Sequence, residues 1–142
     1  MKLYSCGLIF NEDKTQVLLI RKNRPQWQAG MFNGIGGKVE EGESALECMI
    51  RESHEETTIK DENWRSIACL HGADFRVDFF AIYNQDFEKI KPLTDELLYP
   101  INVKDIYNRQ FYFYNEIMRN LRVVISLALD DSGLILPVPL VE

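Results

Sequence analysis

The sequence predicts an α/β domain, a sheet of short strands flanked by helices. Three observations predict it. Residues 3–10 and 16–21 are apolar, β-branched runs; residues 44–57 form a capped amphipathic helix; and two more strand-like runs, 64–71 and 75–83, follow that helix. A chain of 142 residues fits one domain with one sizeable core, so 1–142 is read as a single unit.

Taken in order, the first two runs are separated by NEDKT, a turn-forming cluster, and read as a hairpin. Residues 22–37, KNRPQWQAGMFNGIGG, are rich in Gly, Asn and Pro and form a long loop around a short extended piece at 31–35. Loops of that length in a compact domain usually carry function. In the helix at 44–57, Ser44 followed by Glu47 is a capping box that satisfies the first orphan amides. Its wheel puts Leu46, Met49, Ile50 and Ser53 on a core face and Glu52, Glu55 and Glu56 on an adjacent one. HGAD separates the next two strands, and a further strand is expected at 97–103. From 105 to about 121 the spacing of Ile106, Tyr114, Ile117, Met118 and Leu121 predicts a helix. Residues 123–129 suit either helix or strand, and DDSG turns the chain into an extended tail, LILPVPL.

Composition narrows the function. The net charge is −6, the pI is near 5.0, and the densest charge cluster is acidic, so a polynucleotide partner is not expected. A phosphate-bearing substrate is compatible, because a divalent cation held by carboxylates inverts the local sign. No apolar run approaches the roughly 20 residues of a membrane-spanning helix. The N-terminal segment reads as a strand rather than a leader. Cys6, Cys48 and Cys69 are odd in number and lack CxxC spacing, which points to reduced thiols and a cytoplasmic location.

Residues 38–56 hold seven acids against Lys38 and Arg51. Like charges three and four apart on a helix repel, so Glu52, Glu55 and Glu56 cost stability unless something offsets them. Three carboxylates on one face suit a hard cation such as Mg²⁺, which takes oxygen ligands and keeps waters that phosphate oxygens can replace. Arg51 stands beside them to pair with a carboxylate, and Gly36 and Gly37 allow close approach of the backbone. Plainer readings exist for each group. A charge run is commonly a solvated face; Glu96 is a surface acid beside Asp95; Lys22 and Arg24 are strand-end charges; Asn33 is a loop residue. Trp27, Phe32 and Trp64 suit core or rim as well as base stacking. His54 and His71 have no partner at zinc spacing.

The spacing Gly37, five residues, Glu43, seven residues, then Arg51-Glu52-Ser53-His54-Glu55-Glu56-Thr57-Thr58-Ile59 resembles the Nudix box, G-x5-E-x7-R-E-U-x-E-E-x-G-U, with U apolar. The flanks, from the first hairpin to Asp105, resemble a MutT-like Nudix domain. The resemblance implies an α/β/α sandwich around a mixed sheet and an Mg²⁺-dependent hydrolase, with Mn²⁺ as a substitute. It makes the Gly36 carbonyl, Glu52, Glu55 and Glu56 metal ligands, with Glu96 a further ligand or base. It makes Glu52 the base for the attacking water, and Glu43 and Arg51 a brace between loop and helix. Asn33 and Lys22 resemble the base-edge and phosphate contacts of the 8-oxo-dGTP diphosphatase branch. Where that branch carries an acidic pair, this chain has IYNRQF at 106–111.

The implied reaction is cleavage of a nucleoside triphosphate, oxidised or not, to monophosphate and pyrophosphate. The rivals are another nucleoside diphosphate derivative and a catalytically silent nucleotide-binding domain. A homodimer is common in the family. Two positions depart from the box. Ser53 replaces an apolar residue, with its hydroxyl expected to bond back to the Met49 carbonyl. Thr58 replaces a helix-ending glycine, at a cost of about 1–2 kcal/mol if that site is left-handed.

Overall fold

The computed structural model describes residues 1–134 and 136–142; Ile135 of the expected extended tail lies outside the described residues. Its organising element is β1 (Lys2–Asn11). Period-two alternation sends Cys6, Leu8 and Phe10 to one face and leaves Ser5, Gly7 and Ile9 on the other. Residues 5–10 are all buried, as in a strand covered on both faces.

One edge of β1 pairs in parallel with β6 (Phe75–Gln85) along its whole length. The other edge is shared. Its C-terminal end pairs antiparallel with β2 (Gln16–Arg21) through Ile9↔Leu18, and its N-terminal half with β4 (Ile35–Lys38) through Tyr4↔Lys38 to Gly7↔Ile35. The chain from 22 to 34 spans this fork and includes β3 (Phe32–Asn33), which pairs with β2. The sheet has eight strands in the order β3-β2-β1-β6-β5-β8, where β5 is Arg65–His71 and β8 is Val138–Val141. β4 joins on β1, and β7 (Leu98–Asn102) on β2. β1/β6 and β5/β8 are parallel and the rest antiparallel, so the sheet is mixed.

Helix α1 (Ala45–Glu56) covers one face, where Met49 packs with Ile9, Ile20, Ile35, Trp64, Phe80 and Ile82. On the opposite face α3 (Leu121–Ala128) packs Leu121, Val124 and Ile125 against Leu8, Phe10, Leu19 and Ile67. The architecture is the expected α/β/α sandwich. No helix among the described residues is long and apolar enough to cross a membrane.

The expected helix over 105–121 does not form. The segment is a short α2 (Val103–Ile106), a 3-10 turn at Tyr114–Glu116 and the start of α3. Long-range contacts override its helical spacing. Met118 N–H donates to the Phe32 carbonyl at 2.9 Å, and Ile117 bridges Phe32 in parallel. Phe113 packs on Phe32 with ring centroids 5.1 Å apart. The open choice at 123–129 resolves as helix through residue 128. Phe32 is fully buried in this cluster, which removes it as a base-stacking platform.

Candidate functional site

The capping box forms in both directions. Ser44 Oγ accepts from Glu47 N–H at 3.0 Å, and Glu47 Oε1 accepts from Ser44 N–H at 3.1 Å. Ser5 Oγ on β1 donates to the Ala45 carbonyl at 2.7 Å and sets the helix start on the sheet. The inward face is Cys48, Met49, Ser53 and Glu56, whereas Leu46, expected in the core, is 41% exposed. Glu56 stands seven residues after Met49 and three after Ser53, so helical periodicity carries a carboxylate onto the buried face.

The helix end corrects two expectations. Ser53 Oγ lies 3.5 Å from Thr57 Oγ1 rather than bonding the Met49 carbonyl. Thr57 leaves the helix in extended backbone at φ −135°, with its hydroxyl donating to the Ser53 carbonyl and accepting from Ile59 N–H. Thr58 is not left-handed, so the strain reserved for it is absent. Its hydroxyl donates to the Lys89 carbonyl at 3.0 Å and accepts from Lys91 N–H at 3.3 Å.

Arg51 organises the solvent side. Its guanidinium forks onto Glu43 through Nε at 2.7 Å and Nη2 at 3.0 Å, and Nη2 also donates to the Lys38 carbonyl. Nη1 reaches Glu52 Oε1 at 3.0 Å and Glu55 at 3.3 Å, with Glu40 at 3.7 Å. A bidentate Arg–carboxylate pair is the strong form of this contact. It holds the Glu43 carboxyl down at about 2, and Glu43 in turn accepts Glu40 N–H, closing the loop onto the helix.

The inner side is different. Glu56 is buried, its Oε2 has no hydrogen-bond partner, and its carboxyl is pushed up to about 8, first by burial and then by the hydrogen bond to Glu52. Lys22 attracts its charged form and offsets part of that rise. A Cβ on Gly37 would overlap the Glu52 carboxylate, so this glycine is what lets Glu52 lie against β4. Glu96, also buried, accepts Lys22 Nζ at 3.1 Å and Asn23 N–H. Lys22 therefore stands between Glu96 and the Glu56 carboxyl, with only 16% of its side chain exposed. Arg24 stays at the surface with Asp95.

Among the described residues, no three His, Cys, Asp or Glu side chains are gathered tightly enough to chelate an ion. The reason is visible in the bonding. Arg51 draws Glu52 and Glu55 outward, while Glu56 is held on the buried face of the helix. An all-oxygen donor set with one orphaned carboxylate oxygen is nonetheless chemistry that fits a hard cation.

Gly36, Gly37, Lys22 and Asn33 line a cleft of about 690 Å³ that runs past the β1/β4 pair. Asn33 projects from β3, and Trp27, 73% exposed, forms part of the wall. Sequence reasoning missed Gln28 and residues 118–121 of this wall. Gln28 lies in the loop already singled out for its length. Residues 118–121 gave no local signal, because the Met118–Phe32 bond is what brings them there. IYNRQF does not line this cleft; its Phe111 lines a smaller cavity beside β7.

A model of the NUDIX domain matches residues 1–98. The chain belongs to the NUDIX family. Its fold is similar to a MutT structure from work on the Aliivibrio salmonicida and Vibrio cholerae proteins, at 22% identity, 87% of this chain, 95% of that one and a TM-score of 0.69. It is equally similar to a MutT NUDIX hydrolase from Burkholderia pseudomallei, at 17% identity, 89% and 96% coverage and a TM-score of 0.70. A sequence relative is the NAD-capped RNA hydrolase NudC of Vibrio parahaemolyticus, 34% identical over 64 residues. That match covers 45% of this chain and 24% of NudC, so this chain spans about a quarter of that relative's length. The chain thus carries a NUDIX domain over residues 1–98 and shares the fold of the MutT structures.

Proposed function

We propose that this chain is an Mg²⁺-dependent pyrophosphohydrolase that cuts a nucleoside triphosphate, oxidised or not at its base, to the monophosphate and pyrophosphate. The observation that carries this reading is the Glu52–Glu56 pair packed against the glycines of the cleft, with Glu56 Oε2 buried and unpartnered. Glu52, Glu55 and Glu56, the Gly36 carbonyl and Glu96 are the groups that would hold the cation, Mn²⁺ serving in its place. When bound, the ion polarises the phosphoryl oxygens and offsets the charge of the leaving group.

The chain's own residues do the rest. Glu52, held by Arg51 Nη1, accepts a proton from the attacking water as its oxygen bonds to phosphorus. The bond from that phosphorus to the bridging oxygen breaks, and the electron pair leaves on that oxygen. Glu43 holds Arg51 in place through the fork and so keeps Glu52 aimed. Lys22 meets a phosphate and Asn33 the base edge, both from the cleft wall. The substrate is a free nucleotide rather than a polymer.

The test is release of pyrophosphate or phosphate from a panel of nucleoside triphosphates, with Mg²⁺ and with chelator. Inactivity of the folded protein on every nucleotide would remove the reading. A second reading, cleavage of another nucleoside diphosphate derivative, is favoured by the likeness to NudC. Including NAD in the panel separates the two, since its cleavage yields AMP and no pyrophosphate.

A further inference from the structure

Residues 91–97 run as a strap from the exit of α1 to the end of β2, and both of its ends are tied. At the helix exit, Thr58 Oγ1 donates to the Lys89 carbonyl at 3.0 Å and accepts from Lys91 N–H at 3.3 Å. Leu93 N–H then donates to the Glu56 carbonyl at 3.1 Å. At the β2 end, Arg21 N–H donates to the Leu97 carbonyl at 2.9 Å and Arg24 pairs with Asp95 at 2.9 Å. Asn23 Nδ2 adds a bond to the Asp95 carbonyl at 3.4 Å.

Burial within the strap falls on one residue. Residues 91–95 and 97 are exposed, and Glu96 between them is buried. Ile90 and Leu98 pack on the core at either end, yet no apolar side chain of the strap itself is buried. A glutamate is seldom buried unless it is paired. Here its carboxylate accepts from Lys22 Nζ and Asn23 N–H, while Glu96 N–H donates to Thr94 Oγ1 at 3.2 Å. A segment without an apolar anchor takes its position from its hydrogen bonds, and few such bonds mean easy local opening.

We propose that Thr58 is a positioning residue that acts through this strap to hold Glu96 beside Lys22 and Glu56 for the cation. The proposal rests on the reading that Glu96 helps hold that cation. The glycine of the Nudix box has no hydroxyl and could make neither bond to the strap. The departure at position 58 is thus a tether, added where the strap leaves the helix. Lys22 stands between Glu96 and Glu56, so a strap that lifts withdraws a carboxylate from the site and frees the lysine.

The test reads Glu96 twice, first without metal and then with it. Thr58→Val keeps the branched shape and removes the hydroxyl. In metal-free protein it is expected to speed hydrogen exchange at the Asn23 amide about two- to fivefold relative to the β1 amides. That amide reports the Glu96 carboxylate from the far end of the strap, where a role confined to the helix exit would change nothing. Mn²⁺ affinity, read by electron paramagnetic resonance, is expected to weaken about two- to fivefold as well. Thr58→Ser keeps the hydroxyl and both wild-type values. In a Glu96→Gln background, Thr58→Val costs no further Mn²⁺ affinity. Unchanged Asn23 exchange, unchanged Mn²⁺ affinity, a serine variant as impaired as the valine, or additive losses in the double variant overturns the proposal. Failure of hydrolysis on every nucleotide alongside these shifts would remove the hydrolytic reading and leave this one standing. Absence of Mn²⁺ binding in the wild type would remove both.

Discussion

Two carboxylates near the ends of α1 meet opposite environments. Glu43, just before the helix, lies under the Arg51 fork, accepts a backbone N–H and is held ionised with its pKa near 2. Glu56, at the last turn, is buried beside Glu52 with an unpartnered oxygen and is raised to about 8. The first site is complete as the protein stands, because its counter-charge is a side chain. The second is incomplete and invites a ligand to supply positive charge. Such pairs, with environments that push like groups apart, separate bracing carboxylates from working ones.

The largest way to test that contrast is Glu56→Gln. It keeps the shape but removes the charge from the incomplete site, and turnover is expected to fall about 10²–10⁴-fold while the far-UV circular dichroism spectrum is unchanged. A Glu56→Gln enzyme of wild-type activity would place the work elsewhere. Arg51→Lys attacks the complete site. A point charge cannot serve Glu43, Glu52 and the Lys38 carbonyl together, so turnover falls about 10–100-fold and Tm also falls, read by scanning calorimetry. The two variants should therefore separate: one loses activity alone, the other loses activity and stability.

The contrast also has a sign in pH. Glu43 is lowered from 4.5, so its contribution is present above that value and is lost as pH falls through about 2. Glu56 is raised from 4.5, so the fold favours its protonated form. The stability it gives is full below 4.5 and is lost as pH rises through about 8. In chelator, Glu56→Gln should melt higher than wild type at pH 8, by about 2–4 °C, and the gap should close toward pH 5. Mg²⁺ should close it from the other side by stabilising only the wild type.

How much of this was legible depends on whether the determinants were local. The capping box, the spacing of Glu43, Arg51, Glu52 and Glu56, and the adjacent glycines lie within about two dozen residues of chain; the helix is legible from them, and a Glu43–Arg51 contact of the kind the resemblance implies is present. The burial of Glu56 was not legible, because the wheel assigned it to an acidic face and omitted the sheet it leans on. The segment 105–121 was misread for the same reason on a larger scale. Its spacing is helical, yet its conformation is set by Phe32, more than eighty residues earlier. Arg122 then pins it by donating to the Ile106 and Tyr114 carbonyls while stacking on the Tyr114 ring. No local window of sequence contains both Phe32 and its partners Phe113, Ile117 and Met118.

The smallest predicted effect is also the one whose sign the structure reverses. From the box alone, Thr58→Gly restores the expected residue and should relieve about 1–2 kcal/mol of left-handed strain. In the fold there is no such strain, because Thr57 has already turned the chain into extended backbone. The Thr58 hydroxyl instead ties the helix exit to the 3-10 turn at Phe87–Lys89, through the Lys89 carbonyl and Lys91 N–H. Glycine there removes two exposed hydrogen bonds and adds freedom to the unfolded chain, so it should destabilise by about 0.5–1 kcal/mol in urea melts. A stabilised Thr58→Gly would mean that the helix exit is left-handed in solution. The Leu93 N–H bond to the Glu56 carbonyl would then be in question too, since it depends on the same exit.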